Sequence, residues 1–271
     1  MPETPEGLNR AGRAEEFIRS FLAFLEVVMV ALFGSLLVQI SFGILDVSSV
    51  QILHDTRFLF IFMAWEASIT LLLILLFLWV RGESLRKLGW IWKKVDREVL
   101  LGVAAVPILF ASTFAVGTFF QLFLPDYVST TNKLLDLVRD YRDLTLFLIS
   151  SIFVGGLKEE IQRAFVLDRF ERYLGAIFLK SFLRAFGRTE FFTEQAGHRV
   201  GVIVGLILWS VFFAIGHHVQ GVDNAVGAGV LGLLFGLLYI WRRNLVAPIV
   251  SHALYNVTTL LAFWTFLGDQ C

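Results

Sequence analysis

The chain has 271 residues, 57% of them hydrophobic and only 17% charged, with Lys and Arg balancing Asp and Glu at 23 each. Soluble domains carry charge on about a quarter of their residues, so the composition tells against a water-soluble fold; the zero net charge singles out no partner, and no nucleic acid is expected. The one cysteine, Cys271, excludes a disulfide framework or a CxxC metal site.

From the start of the chain, Met1 to Glu16 is polar and carries four glutamates before any apolar run. That is a poor signal peptide, whose charged region is basic and short, and it is expected to stay as a surface tail. Apolar blocks follow at 27–45, 58–80, 99–123, 144–167, 200–218, 225–241 and 244–267. Each approaches the roughly 20 residues that cross a hydrocarbon core as helix, and a helix satisfies its own backbone there. The predicted fold is all-α: a polytopic transmembrane bundle of about seven spans, or eight, with interfacial amphipathic helices. Its expected parts are an N-terminal cytoplasmic tail (1–26), two first spans (27–80), a core (81–267) and a C-terminal tail (268–271).

Three connections are long enough for structure of their own. Segment 81–98 mixes bases with Leu85, Leu88, Trp90 and Trp92 and predicts a helix in the headgroup layer. Segment 126–143 predicts an outer amphipathic helix, and 169–199 a second interfacial helix around 176–186. With the N-terminus inside, the inner segments hold 17 Lys and Arg and the outer ones 4, while Lys158 and Arg163 lie within a span. Bases gather on cytoplasmic loops. This orients the N-terminus to the cytoplasm and the C-terminus outside, in a plasma or bacterial inner membrane, with lipid as the surrounding partner.

Ionisable residues inside spans are costly and generally have a partner or a job. The fourth span reads FVGGLKEEIQRAFVL. On a helix Arg163 lies four residues from Glu159 and three from Glu160, so it can pair with either. The carboxylate it leaves unpaired is a candidate general base. Gly155 and Gly156, a turn earlier, permit close approach of another helix. The fifth span ends in FFAIGHHVQG with His217 and His218. The seventh carries SHALYNVTT, with His252 and Asn256 one turn apart on one face. Two donors so placed can hold the oxyanion that forms when a carbonyl is attacked. Against this stand plainer roles: an ion-pair lock for the glutamates and arginine, packing for His218, and helix-to-helix bonding for Asn256. Glu66, in mid-span, has no assigned partner.

A glutamate doublet with a following arginine, then FxxxH (Phe213 to His217), then HxxxN (His252 to Asn256), resembles the CAAX-protease and bacteriocin-processing family of intramembrane endopeptidases, which includes the type II CAAX prenyl endopeptidases. LRKLGW before the third span adds a weaker likeness. The family pattern EExxxR is altered here: Ala164 stands in the arginine position and Arg163 comes one residue early, a rotation of about 100°. The resemblance implies that Glu159 with His217 activates water. It makes His252 and Asn256 an oxyanion hole, has Glu160 and Arg163 orient the site, and packs Phe213 beneath the histidine. The implied substrate is a membrane-anchored or hydrophobic peptide, and the implied mechanism has no cofactor. The alternative is a Zn²⁺ ion on Glu159, His217 and His252, since catalytic zinc uses three such ligands plus water. Two other functions stand beside the peptidase: an inactive membrane scaffold, suggested by the shifted arginine, and a transporter or channel with an intramembrane Glu/His path. Depth counting sets Glu159 and His252 toward the inner half but His217 near the outer end of its span. Only a tilt, or a break at Gly216, brings them together.

Overall fold

The computed structural model describes residues 5–45, 47, 54–130, 132 and 134–267, with side chains from 14 to 266. Residues 268–271, expected as a C-terminal tail, lie outside the described residues. Among the described residues every regular element is helical. The α-helices are α1 (Pro5–Val28), α2 (Gly34–Ile44), α3 (Thr56–Val80), α4 (Val95–Phe123), α5 (Tyr141–Ser150), α6 (Glu159–Arg169), α7 (Gly175–Ala185), α8 (Glu194–Gly216), α9 (Val222–Arg242) and α10 (Val246–Leu267). Six stretches are long and apolar enough to cross a membrane: Ala14–Ile44, Thr56–Val80, Val95–Phe123, Glu194–Gly216, Val222–Arg242 and Val246–Phe266. The remaining expected span, the fourth at 144–167, lies on the helical path 141–185. That path is continuous through α5, α6 and α7 but carries Lys158, Glu159, Glu160 and Arg163 at its centre.

The first span begins earlier than the apolar run suggests. A π-helical stretch, Met29–Phe33, joins α1 to α2, so the polar stretch read as a tail is helical from Pro5. Phe17, Ile18, Phe21, Leu22, Phe24 and Leu25 turn outward on it. Glu26 turns inward and meets Arg81 Nε and Arg169 Nε, both at 2.6 Å. Glu26, the last residue of the expected tail, is therefore partnered within the bundle.

Of the three connecting segments, only one forms the expected helix. α7 covers Gly175–Ala185 and exposes Phe178 and Phe182. Segment 81–98 instead makes a 3₁₀ turn, Leu85–Leu88, and a loop through Gly89 in the left-handed region (φ 88°) before α4 begins. Packing explains the correction. Leu88 is fully buried, and a Cβ on Gly89 would stand 2.8 Å from the Arg243 carbonyl oxygen, so the loop is docked on the chain between α9 and α10. The outer segment likewise holds two 3₁₀ turns, Pro125–Tyr127 and Leu135–Leu137, with Leu137 and Val138 buried.

The core centres on α6. Ile161, Ala164, Phe165 and Leu167 pack with Val30, Ile74, Leu78, Leu88, Tyr239 and Leu245. Below them, at the end of the bundle bearing most Lys and Arg (the basic end), Arg169 is fully buried. It lies 2.8 Å from Glu83 Oε2 and Asp168 Oδ2 besides Glu26. Its guanidinium covers the Phe165 ring at 4.4 Å. A buried cation needs such company, since an uncompensated charge in the interior costs several kcal/mol.

Candidate active site

The local fold of the 141–185 path sets the site. A π-helical stretch, Ser151–Lys158, ends where α6 begins at Glu159. A π turn takes an extra residue per turn and changes the direction in which the next side chains leave the helix. The two adjacent glutamates consequently meet different surroundings. Glu160 is 1% exposed; it accepts from Arg163 Nη1 and from His252 Nδ1, the latter at 2.7 Å. The early arginine is thus committed to Glu160, three residues before it. Glu159 keeps 20% of its side chain exposed, and the His252 Nε2 atom lies 3.7 Å from its Oε2.

Gly155 and Gly156 bring α10 against this path. A Cβ at Gly155 would sit 2.5 Å from Asn256 Nδ2 and 3.6 Å from His252 Nε2, and one at Gly156 2.8 Å from the Ala253 Cβ. The His252–Asn256 face therefore looks directly at the stretch preceding Glu159. His217 arrives from the end of α8. The helix stops at Gly216, and the His217 ring folds back so that Nδ1 bonds the Phe213 carbonyl oxygen at 2.8 Å. A carbonyl only accepts, so Nδ1 carries the proton and neutral His217 has a bare Nε2. By the same logic His252 Nδ1 donates to the Glu160 carboxylate.

A cavity of about 340 Å³ joins these groups: Glu159, His217, His252 and Asn256 all line it, with Gly155, Phe213 and Phe235. The depth mismatch expected from counting is bridged by this cavity, which extends from Glu159 to Gln220 and Asn224 just beyond His217. Phe213 packs on the His217 ring, with centroids 4.4 Å apart. Phe235 does the same for His252, at 4.3 Å and an interplanar angle of 17°. Arg163 lies between the two phenylalanines, 5.3 Å from one centroid and 5.4 Å from the other. Its Nε and Nη2 have no hydrogen-bond partner. The ring faces serve in that place, as aromatic quadrupoles attract a desolvated guanidinium.

Several polar residues resolve into structure. Glu66 bonds Lys158 Nζ at 2.8 Å and accepts from Thr70 at 3.0 Å, which gives the unassigned carboxylate its partner. Gln162 donates to the Val30 carbonyl at 2.7 Å, in the π stretch of the first span where helical bonding is displaced. His218, expected to pack, is exposed, and its ring meets the Ile215 carbonyl. Among the described residues no three His, Cys, Asp or Glu side chains sit at metal-binding distances.

Phe235, Gln162 and Glu26 were not picked out from sequence. Phe235 is one of 28 phenylalanines and shows itself only through its contacts. Gln162 and Glu26 carried a usable signal, being polar residues next to or inside an apolar block.

No curated protein and no solved structure matches the chain. Residues 141–258, the stretch that brings Glu159, His217, His252 and Asn256 to one cavity, match the model of the Rce1-like type II CAAX prenyl endopeptidase family.

Proposed function

We propose that the protein is an intramembrane endopeptidase that uses Glu159 to activate water against a peptide bond of a membrane-associated substrate. One observation carries the reading: of two adjacent glutamates, one is spent on Arg163 and His252, while the other faces a cavity shared with two imidazoles and an amide. In this mechanism Glu159 takes a proton from water, and the bare Nε2 of His217 accepts the other hydrogen bond and aligns the oxygen. The water oxygen bonds to the substrate carbonyl carbon, and the charge moves to the carbonyl oxygen. Asn256 Nδ2 and a protonated His252 Nε2 donate to that oxygen. The C–N bond then breaks, and the proton held by Glu159 passes to the departing amine. Glu160 holds His252 by Nδ1, and Arg163 holds Glu160. The chemistry needs only groups of the chain itself, and no step is routed through a metal.

The 17-to-4 division of Lys and Arg supports a cytoplasmic N-terminus and an external C-terminus. It also fits a plasma or bacterial inner membrane. Lipid surrounds the bundle, and the substrate is an anchored or apolar peptide.

The test is cleavage of a membrane-tethered reporter peptide by the purified protein in proteoliposomes. Wild type cleaves; Glu159→Ala and His217→Ala lose at least about a hundredfold in rate, the usual worth of a positioned acid–base group, while remaining folded. Equal rates in all three would remove both residues from the chemistry.

A further inference from the structure

We propose that the substrate reaches this site from the non-cytoplasmic side of the membrane, as an apolar peptide stretch of an exported or outer-leaflet-anchored chain. The inference rests on the peptidase reading for its substrate, but on independent observations for its direction.

The first is the shape of the interior. Toward the basic end the site is closed. Arg163, Phe165, Leu167 and Arg169 are each less than 2% exposed, and Arg169 is tied to three carboxylates. Toward the opposite end the cavity continues past Tyr255 and Thr259 to Asn132, Gln220 and Asn224. Asn132 lies on the connection between α4 and α5 and Gln220 on that between α8 and α9, while Asn224 is in the first turn of α9. The α4–α5 connection is tied to both: Ser129 donates to Asp223 at the start of α9 at 2.6 Å and Asn132 to Gln220 at 3.4 Å.

The second is the charge asymmetry. The closed end carries 17 Lys and Arg and the open end 4, which puts the open end outside. The lining then suggests what enters. Leu59, Met63, Phe147 and Leu231 form apolar walls for large apolar side chains. The amides of Asn132, Gln220 and Asn224 offer donors and acceptors to an extended backbone at the mouth.

The test uses the full-length chain with Cys271→Ser and one new thiol, Ser151→Cys, on the cavity wall. Thr259→Cys, on another wall, is the second variant should the first fail to fold. Arg86→Cys reports the basic end. Each is treated with a charged, membrane-impermeant methanethiosulfonate in right-side-out and in inverted membrane vesicles. The expected result is an adduct on the cavity thiol from right-side-out vesicles, lost in inverted ones, with the reverse pattern for Arg86→Cys. A cavity thiol modified only in inverted vesicles would overturn the proposal. So would one unreactive from both sides yet modified after denaturation, or an Arg86→Cys labelled from right-side-out vesicles. Because labelling asks nothing of cleavage, a failure here leaves the peptidase reading standing, and an inactive enzyme leaves the access route standing.

Discussion

Glu159 and Glu160 are chemically identical neighbours, and what separates them is one helical step. That step carries Glu160 onto Arg163 and His252 Nδ1 and leaves Glu159 facing the cavity. The same economy applies to Gly155. Its missing Cβ is the space taken by the Asn256 amide, at 2.5 Å. The obstructed atom is the end of a flexible side chain, so Gly155→Ala is accommodated by turning Asn256 away. Cleavage is expected to fall about a hundredfold to a thousandfold through loss of one oxyanion donor, with little change in melting temperature. A large drop in stability with an unchanged rate would show that the glycine serves packing alone. Phe235 stacks on His252 and covers Arg163, so its ring fixes the imidazole plane. Phe235→Leu is expected to lower kcat about fivefold, corresponding to the roughly 1 kcal/mol that aromatic contacts contribute, while KM stays near wild type. Rescue by Phe235→Tyr would mark the ring as the cause, whereas a shift confined to KM would place Phe235 in substrate binding instead.

At the scale of the elements, the path 141–185 is joined to its neighbours by polar bonds at several depths. Lys158 pairs with Glu66 on α3, Gln162 reaches Val30, and Arg169 reaches Glu26 and Glu83. Glu83 lies in the loop after α3. Burial pushes its carboxyl upward, but Arg169 and Lys87 outweigh that and hold it below the usual carboxylate range. A depressed folded-state value stabilises the fold at neutral pH and ceases to do so as the pH falls through it. Wild type is therefore expected to lose more melting temperature than Glu83→Gln between about pH 7 and about pH 3, a window spanning the ordinary glutamate value. Parallel curves would show that this ion pair adds nothing. Elements were legible where a single physical pattern dominates: the apolar runs announced the spans, and the basic, phenylalanine-rich 176–186 stretch announced α7. Segment 81–98 was misread because its conformation is fixed from outside. Leu245 N–H bonds the Gly89 carbonyl at 3.0 Å and Leu88 is drawn into the core, contacts that no local periodicity encodes. The start of α1 was missed because the four glutamates of Met1 to Glu16 precede any apolar run and read as a surface tail, whereas the chain is helical from Pro5.

In the whole molecule, the cavity lined by Glu159, His217, His252 and Asn256 sits between a buried basic end and a polar mouth. The sequence motifs named its four facing groups, because ionisable and amide residues stand out against an apolar background. They did not reveal that Phe213 and Phe235 flank one guanidinium, since aromatic residues in a bundle this apolar carry no distinguishing mark. The account turns on a division of labour between the two glutamates, and isosteric substitution separates them most directly. With kcat and thermal unfolding measured on the same preparations, Glu159→Gln is predicted to abolish cleavage while melting like wild type. Glu160→Gln, which strands a buried guanidinium, is predicted to lose about 3–5 kcal/mol of stability. A Glu159→Gln protein that cleaves at the wild-type rate would contradict the account.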